Sequence, residues 1–238
     1  MLIGGFQKSS LIDFKGRIAA VVFTQGCNFS CPYCHNPELV ISMLSRPYSK
    51  EEIFSFLKTR INKLDGVVIS GGEPTIHKDL PEFIKEIKNM GFEVKLDTNG
   101  TNPLMLKRLL DEKLLDYIAM DIKTSLLDYS RLIRREVKIE NIKNSMEIIV
   151  KSGIEYEFRT TVVKGLLGAD NFIKINEEFV KLRKLLHDEE KIKAYYLQKF
   201  QKSKHIDENF MNAKTFDDEE FEKLVKMFRE NAEICLVR

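Results

Sequence analysis

A chain of 238 residues with 43% hydrophobic and 31% charged positions is long enough for a complete core and too apolar to be disordered. Lysine plus arginine number 38 against 36 for aspartate plus glutamate, so no strong field for nucleic acid is built in and a nucleic-acid partner is not expected. No apolar run approaches the ~20 residues that span a bilayer, and MLIGGFQKSS lacks the apolar centre of a signal peptide, which together indicate no membrane and a cytoplasmic, thiol-reducing setting.

Residues 2–16 read as an extended segment with a turn at Asp13-Phe14-Lys15-Gly16, a hairpin leading into the first strand. Residues 18–24 (IAAVVFT) form a short continuous apolar run, as expected of a strand buried on both faces. Residues 38–48 read as irregular. Ser49 opens a helix with Glu52 three positions on, a capping box, and Ile53, Phe54, Leu57, Ile61 and Leu64 give it one apolar face. A second strand, 66–70, ends at Gly71-Gly72-Glu73-Pro74. The next helix turns Phe83, Ile84, Ile87 and Met90 inward and stops at Gly91. A third strand, 92–97, ends at Thr98-Asn99-Gly100, and Asn102-Pro103 starts another helix with a cap and a first-turn proline. A fourth strand, 115–121, has Lys123 just past its end. A helix about 139–152 stops at Gly153. A fifth strand, 154–163, carries Arg159, Thr160 and Thr161; a long helix spans about 170–187; a sixth strand, 191–200, carries Gln198. A last helix spans about 217–231, and 234–237 reads as one more strand.

Strands alternating with amphipathic helices specify an α/β fold with a parallel sheet and right-handed crossovers. About six such units is fewer than the eight that close a full barrel. There is no internal repeat, low-complexity tract or linker. The expectation is one domain over 1–238: an N-terminal segment 1–17, a core 18–200, and a C-terminal helix and tail 201–238.

Three of the four cysteines, Cys27, Cys31 and Cys34, fall in a C-x3-C-x2-C spacing directly after the first buried strand. Thiolates so close in sequence converge on a metal ion or a metal cluster. A disulfide across so short a loop is strained and leaves a third thiol over. Three ligands leave a four-iron cluster with one iron open, where a small molecule can bind. Zinc is the other metal, with His35 as fourth ligand, although its adjacency to Cys34 opposes tetrahedral geometry. Three buried structural thiols are a third reading.

In parallel α/β architectures function gathers at the C-terminal ends of strands, because those loops share one rim. The unusual residues of this chain fall there: the cysteines after strand one, Gly71, Gly72, Glu73 and Pro74 after strand two, Asp97, Thr98 and Asn99 at strand three, Asp121 and Lys123 at strand four. Glycines admit close approach to the backbone, and Glu73 can accept from an ammonium group; an ordinary strand-to-helix turn is the alternative. Asp121 with Lys123 has a structural ion pair as its alternative reading. A strand arginine such as Arg159 is often structural. His77, His187 and His205 read as surface or packing residues, and Cys235 as a small buried hydrophobe.

The wording SLIDF-KG-RIAAVVFTQGCNFSCPYCHNPELV, with its aromatic before the last cysteine and the later Gly71-Gly72-Glu73-Pro74, resembles the radical S-adenosylmethionine (SAM) superfamily. Within it, the chain is similar to the activating enzymes of glycyl-radical enzymes, above all those of anaerobic ribonucleoside-triphosphate reductases. The resemblance covers residues 10 to about 201. It implies an open six-unit (β/α) barrel with helices outside and a [4Fe–4S] cluster on Cys27, Cys31 and Cys34. It implies that the glycine motif meets the SAM amino group, and that Asp97, Thr98, Asn99, Asp121, Lys123, Arg159 and Gln198 meet its methionine or ribose, or a monovalent cation beside its carboxylate. Tyr33 then either stacks near adenine or packs, and His35-Asn36-Pro37 either tunes the cluster or forms a turn.

The implied chemistry is oxidoreductive. An electron donor such as flavodoxin or ferredoxin reduces the cluster, SAM is cleaved to methionine and a 5′-deoxyadenosyl radical, and one glycine Cα–H of a partner enzyme is abstracted. Anaerobic ribonucleotide reductase is the first partner, a pyruvate formate-lyase type enzyme the second. Alternatives are a radical SAM enzyme acting on a small molecule or tRNA, and a zinc-stabilised binding module without catalysis. Relatives with an added ferredoxin-like domain need further cysteines, and this chain has only Cys235 left.

Overall fold

The strands arise where the apolar runs are densest. In the computed structural model, which describes residues 1–40, 47–186, 190–202, 208–210 and 212–238, β2 (Ala19–Thr24) and β3 (Gly66–Gly71) are buried along nearly their whole length. Burial on both faces is what continuous Val/Ile/Ala runs specify. β1 (Ile3–Ser10) pairs antiparallel with β2, so the expected hairpin forms, with Gly16 at φ 70° in its turn. β4 (Glu93–Thr98), β5 (Tyr117–Asp121), β6 (Glu155–Val162), β7 (Ile192–Lys199) and β8 (Ala232–Val237) follow. Hydrogen bonding joins the eight in sequence order, with β1 and β8 at the edges. The pairs β2–β3, β3–β4, β6–β7 and β7–β8 are parallel. The fold is α/β with an unclosed, mainly parallel sheet, as the alternating pattern requires.

The helices are α1 (Pro37–Val40), α2 (Lys50–Lys58), α3 (Leu80–Asn89), α4 (Pro103–Asp111), α5 (Tyr129–Ile133), α6 (Ile139–Val150), α7 (Ala169–Lys184) and α8 (Asp218–Phe228). Their ends follow local chemistry. Ser49 and Glu52 make the reciprocal capping box of α2, and Asn102 Oδ1 accepts from the Met105 amide, 3.2 Å away, to cap α4. α2 stops earlier than its apolar pattern suggests. Irregular turns containing Asn62 at φ 62° follow Thr59, and Ile61 is exposed. α1 and α5 were not expected, because four or five residues carry too little periodicity to read. Residues 41–46, within the stretch read as irregular, and His187 and His205 lie outside the described residues.

The chain divides into two compact units. The first comprises Met1–Asn28, Asn36–Thr98 and Asn102–Ile118; the second comprises Phe29–His35, Asn99–Thr101 and Ala119–Arg238. In the first, α3 lies against β4 with Phe83, Ile84 and Ile87 buried. In the second, β6 alternates. Phe158, Thr160 and Val162 are buried on one side, where Phe158, Phe179, Tyr195 and Phe228 form an aromatic cluster with successive centroids 4.5–5.7 Å apart. Glu157, Arg159 and Thr161 occupy the other side, so that face of the strand is polar.

Candidate active site

In the first unit, the end of β2 and the glycine motif are locked backbone to backbone. Thr24 pairs with Gly71 in the strand register. The Gly72 amide donates to Thr24 O and the Glu73 amide to Gly26 O, each at 2.9 Å. A Cβ at Gly71 would sit 2.4 Å from the Thr24 nitrogen, and one at Gly72 only 2.0 Å from Gly26 O. Gly71, at φ 111°, also has a conformation that L side chains avoid. The close approach these glycines permit is therefore that of the segment leading directly into Cys27.

Glu73, 1% exposed, reaches back into the fold. Its Oε1 accepts from the Thr75 amide at 3.1 Å, from Thr75 Oγ1 at 2.5 Å and from Thr98 Oγ1 at 2.7 Å. Pro74 starts the one-turn 3-10 helix Pro74–Ile76 that this carboxylate caps. Thr98 is thus brought to Glu73. Asp97 accepts from Ser70 Oγ at 3.1 Å and stands 3.5 Å from Lys95 Nζ. Lys95, buried along β4, also donates to Asp13 O at 2.5 Å. Sequence reading passed over Lys95. Its position two residues before Asp97 places both on one face of a strand, and that was the available signal.

In the second unit, Asn99 Oδ1 accepts from both the amide and the hydroxyl of Thr101, closing a local turn. Gly100 O accepts from Ser145 Oγ at 2.7 Å, so α6 holds that turn. Asp121, Lys123 and Arg159 come together. Lys123 Nζ donates to Asp121 Oδ2 at 2.9 Å and Arg159 Nε to Oδ1 at 2.8 Å. Burial alone would raise the Asp121 carboxyl, but the Arg159 and Lys123 charges outweigh it and hold the carboxyl well below its usual range. Burial would likewise lower Lys123, and Asp121 instead keeps its ammonium firmly protonated. The Lys123 amide donates to Tyr129 Oη at 3.0 Å, a use for Tyr129 that no motif announced. Gln198 Oε1 accepts from Thr161 Oγ1 at 3.3 Å, on the same face of the strands as Arg159.

Cys31 and Cys34 belong to this second unit, with the Cys34 amide donating to Cys31 O at 3.1 Å. Burial pushes the Cys31 thiol up to about 11, against the pull of the Lys123 charge. Such a thiol keeps its proton at neutral pH until a metal cation replaces it. Tyr33 is buried beside them, and its hydroxyl makes no hydrogen bond. An unsatisfied buried hydroxyl costs about 1–3 kcal/mol, which a bound group carrying an acceptor would recover. His35 is lowered by burial and then by Lys123, and its ring lies 6.1 Å from Phe200. Asn36-Pro37 starts α1.

No disulfide links any of the four cysteines. Among the described residues no three His, Cys, Asp or Glu side chains are gathered closely enough for one metal ion. A cluster asks something else of its ligands, one iron for each thiolate, and three undisulfided thiols in an eight-position half-exposed loop have the chemistry it requires. Together with the unsatisfied Tyr33 hydroxyl, this donor set fits an iron–sulfur cluster with a small cofactor beside it. Cys235, with its thiol pushed up to about 12 by burial, is a core residue of β8.

Residues 21–171 match the sequence pattern of the radical SAM superfamily. The chain is 32% identical over 242 aligned residues to a protein of Methanocaldococcus jannaschii provisionally named as a glycyl-radical enzyme activating enzyme, covering 100% of this chain and 95% of that one. It is 28% identical over 175 residues to a GTP 3′,8-cyclase of Campylobacter curvus, covering 70% of this chain and 54% of the cyclase. Streptococcus suis SuiB bound to S-adenosylmethionine has a similar fold, with TM-score 0.67 and 13% identity over 92% of this chain and about half (49%) of SuiB.

Proposed function

The chain belongs to the radical SAM superfamily, and from that premise we propose that it activates a glycyl-radical enzyme by abstracting hydrogen from one glycine of that partner. The observation that carries the reading is the C-x3-C-x2-C loop. Its three undisulfided thiols directly follow a buried strand, in a chain that aligns end to end with an activating-enzyme relative. Cys27, Cys31 and Cys34 would hold a [4Fe–4S] cluster, and Gly71, Gly72, Glu73, Pro74, Asp97, Thr98, Asn99, Asp121, Lys123, Arg159 and Gln198 would surround SAM. When bound, the cluster and SAM supply a reductively generated, hydrogen-abstracting radical.

The chain's own part is to position. Gly71 and Gly72 pin the backbone from Thr24 to Gly26, which fixes where Cys27 begins. Lys123 and Arg159 keep Asp121 ionised and leave the group positively charged, suited to a carboxylate. They supply at Asp121 the offset that a monovalent cation would otherwise give. No side chain is needed as nucleophile or general base. The first partner to test is an anaerobic ribonucleoside-triphosphate reductase, the second a pyruvate formate-lyase type enzyme, with flavodoxin or ferredoxin as donor. The cyclase relative favours a second reading, a small-molecule nucleotide substrate.

Iron and sulfide analysis with the visible spectrum of anaerobically purified protein tests the cluster. Zinc without sulfide-to-iron absorbance would sink it. Reduced protein with SAM and each partner should then give a doublet glycyl signal by electron paramagnetic resonance. SAM cleavage that proceeds with GTP consumed and no such signal selects the second reading.

A further inference from the structure

A run of alternating charges crosses the polar face of the second unit, from Lys123 to Arg238. Lys123 and Arg159 hold the two oxygens of Asp121, at 2.9 and 2.8 Å. An end nitrogen of Arg159 (Nη1) stands 3.8 Å from Glu157 Oε1, and Arg238 Nη1 donates to that same oxygen at 3.2 Å. Arg238 in turn lies over Tyr196, its guanidinium carbon 3.3 Å from the ring centroid, and Tyr196 is the strand partner of Arg159. Glu157 is 1% exposed.

A mid-strand carboxylate buried this deeply is costly unless paired. Neutralising it with Arg238 alone would make it a structural pair and nothing more. Here it also faces Arg159, and the geometry of that residue gives it a second effect. A guanidinium is a rigid plane, so anchors on two different edges fix its rotation as well as its place. Asp121 accepts at the Nε edge, and the Glu157 charge faces the far edge from 3.8 Å, an ion-pair distance and not a hydrogen bond. Without the Glu157 charge the pull on that far edge is lost, and the hold on Arg159, and through it on Asp121 beside Lys123, is loosened. Three cations alternate with two carboxylates, and the excess positive charge suits an anionic ligand group.

We infer that Glu157, held by Arg238, is a positioning residue that orients Arg159 and through it the Asp121–Lys123 pair, and so sets affinity for a ligand carboxylate there. For the ligand, the methionine carboxylate of SAM, the inference rests on the function proposed above. Neither Glu157 nor Arg238 has a motif around it.

The test uses full-length, anaerobically reconstituted protein as wild type, Glu157→Gln, Arg238→Gln and the double variant. Three quantities are measured: the SAM dissociation constant by equilibrium binding, the melting temperature, and the hydrogen exchange of the Arg159 Nε–H by nitrogen-15 NMR. Each single variant should weaken SAM binding about tenfold, and the double variant should be no weaker than Glu157→Gln, because one chain of contacts is cut twice. Exchange at Arg159 Nε–H should quicken in both. Unchanged SAM affinity with a lowered melting temperature would overturn the inference and leave a structural ion pair. Unchanged exchange would overturn it as well. If Glu157→Gln does not fold, the half-exposed Arg238→Gln decides alone. Failure of the wild type to bind SAM overturns the functional reading, and the exchange measurement then decides the positioning by itself.

Discussion

Two carboxylates at strand ends, one in each unit, are satisfied by different means. Glu73 draws on an amide and two threonine hydroxyls, all short, neutral donors already fixed by the backbone around them. Asp121 draws on two full charges at the tips of long side chains. A short donor loses little rotamer freedom and ignores salt. A lysine or arginine must first be ordered, which costs about 1.5–2 kcal/mol per side chain, and something else has to hold it. The first unit therefore keeps Glu73 in place with Thr75, two positions on, and Thr98 on β4. The second needs a further layer, Glu157 and Arg238, drawn from far along the chain.

The sharpest way to break this contrast is Gly72→Ala. The added Cβ meets a carbonyl, not a flexible side chain, at 2.0 Å, so the strand end and the Gly26 turn have to part. We expect a loss of about 3 kcal/mol or more in urea denaturation, with loss of bound iron. A loss under about 1 kcal/mol would mean that the lock is loose. Asp121→Asn comes next, leaving two largely buried cations to share a neutral amide. The expected cost is about 3 kcal/mol, and because the group is sheltered, 0.5 M salt should restore little of it. Glu73→Gln should cost less, about 1–2 kcal/mol, since the amide oxygen can still accept from the same donors. Equal costs for the two would remove the distinction between neutral and charged support.

The first unit's arrangement was largely legible in the sequence and the second's was not, for a physical reason. Gly71 and Gly72 announce themselves because only glycine tolerates such backbone approach, and the Ser49–Glu52 and Asn102 caps because capping is local. Alternation of strands and amphipathic helices likewise gave the parallel-sheet class, and the turn at Asp13-Phe14-Lys15-Gly16 the hairpin. The role of the glycines was read as admitting a ligand; the neighbours found there are Thr24 and Gly26. Asp121 with Lys123 was readable as a pair two residues apart. Arg159, 38 positions away, was named for its strand, not for its partner. Glu157 and Arg238, 81 positions apart, carry no local pattern at all. Lys95 was missed although strand alternation could have found it.

The smallest expected effect belongs to Asp79, in the first unit but charged in the manner of the second. Its carboxylate lies 2.5 Å from both Lys50 Nζ and the Met1 amino group, and its side chain is 40% exposed. The hydrogen bond from Lys50, then that from Met1, hold it well below its ordinary value of 3.8, against a weaker opposite effect of burial. A depressed carboxyl adds stability that is fully present above the ordinary value and is lost as pH falls through the folded one. The melting temperatures of wild type and Asp79→Asn should therefore differ by a constant amount from pH 7 down to about 5 and draw together below about 4. Exposure limits the cost at neutral pH to under about 1 kcal/mol, and 0.5 M salt should remove most of it. That salt response is what separates it from Asp121→Asn. If Asp79→Asn kept its full deficit in salt, ordering by exposure would fail, and the charges of the first unit would have to be counted with those of the second.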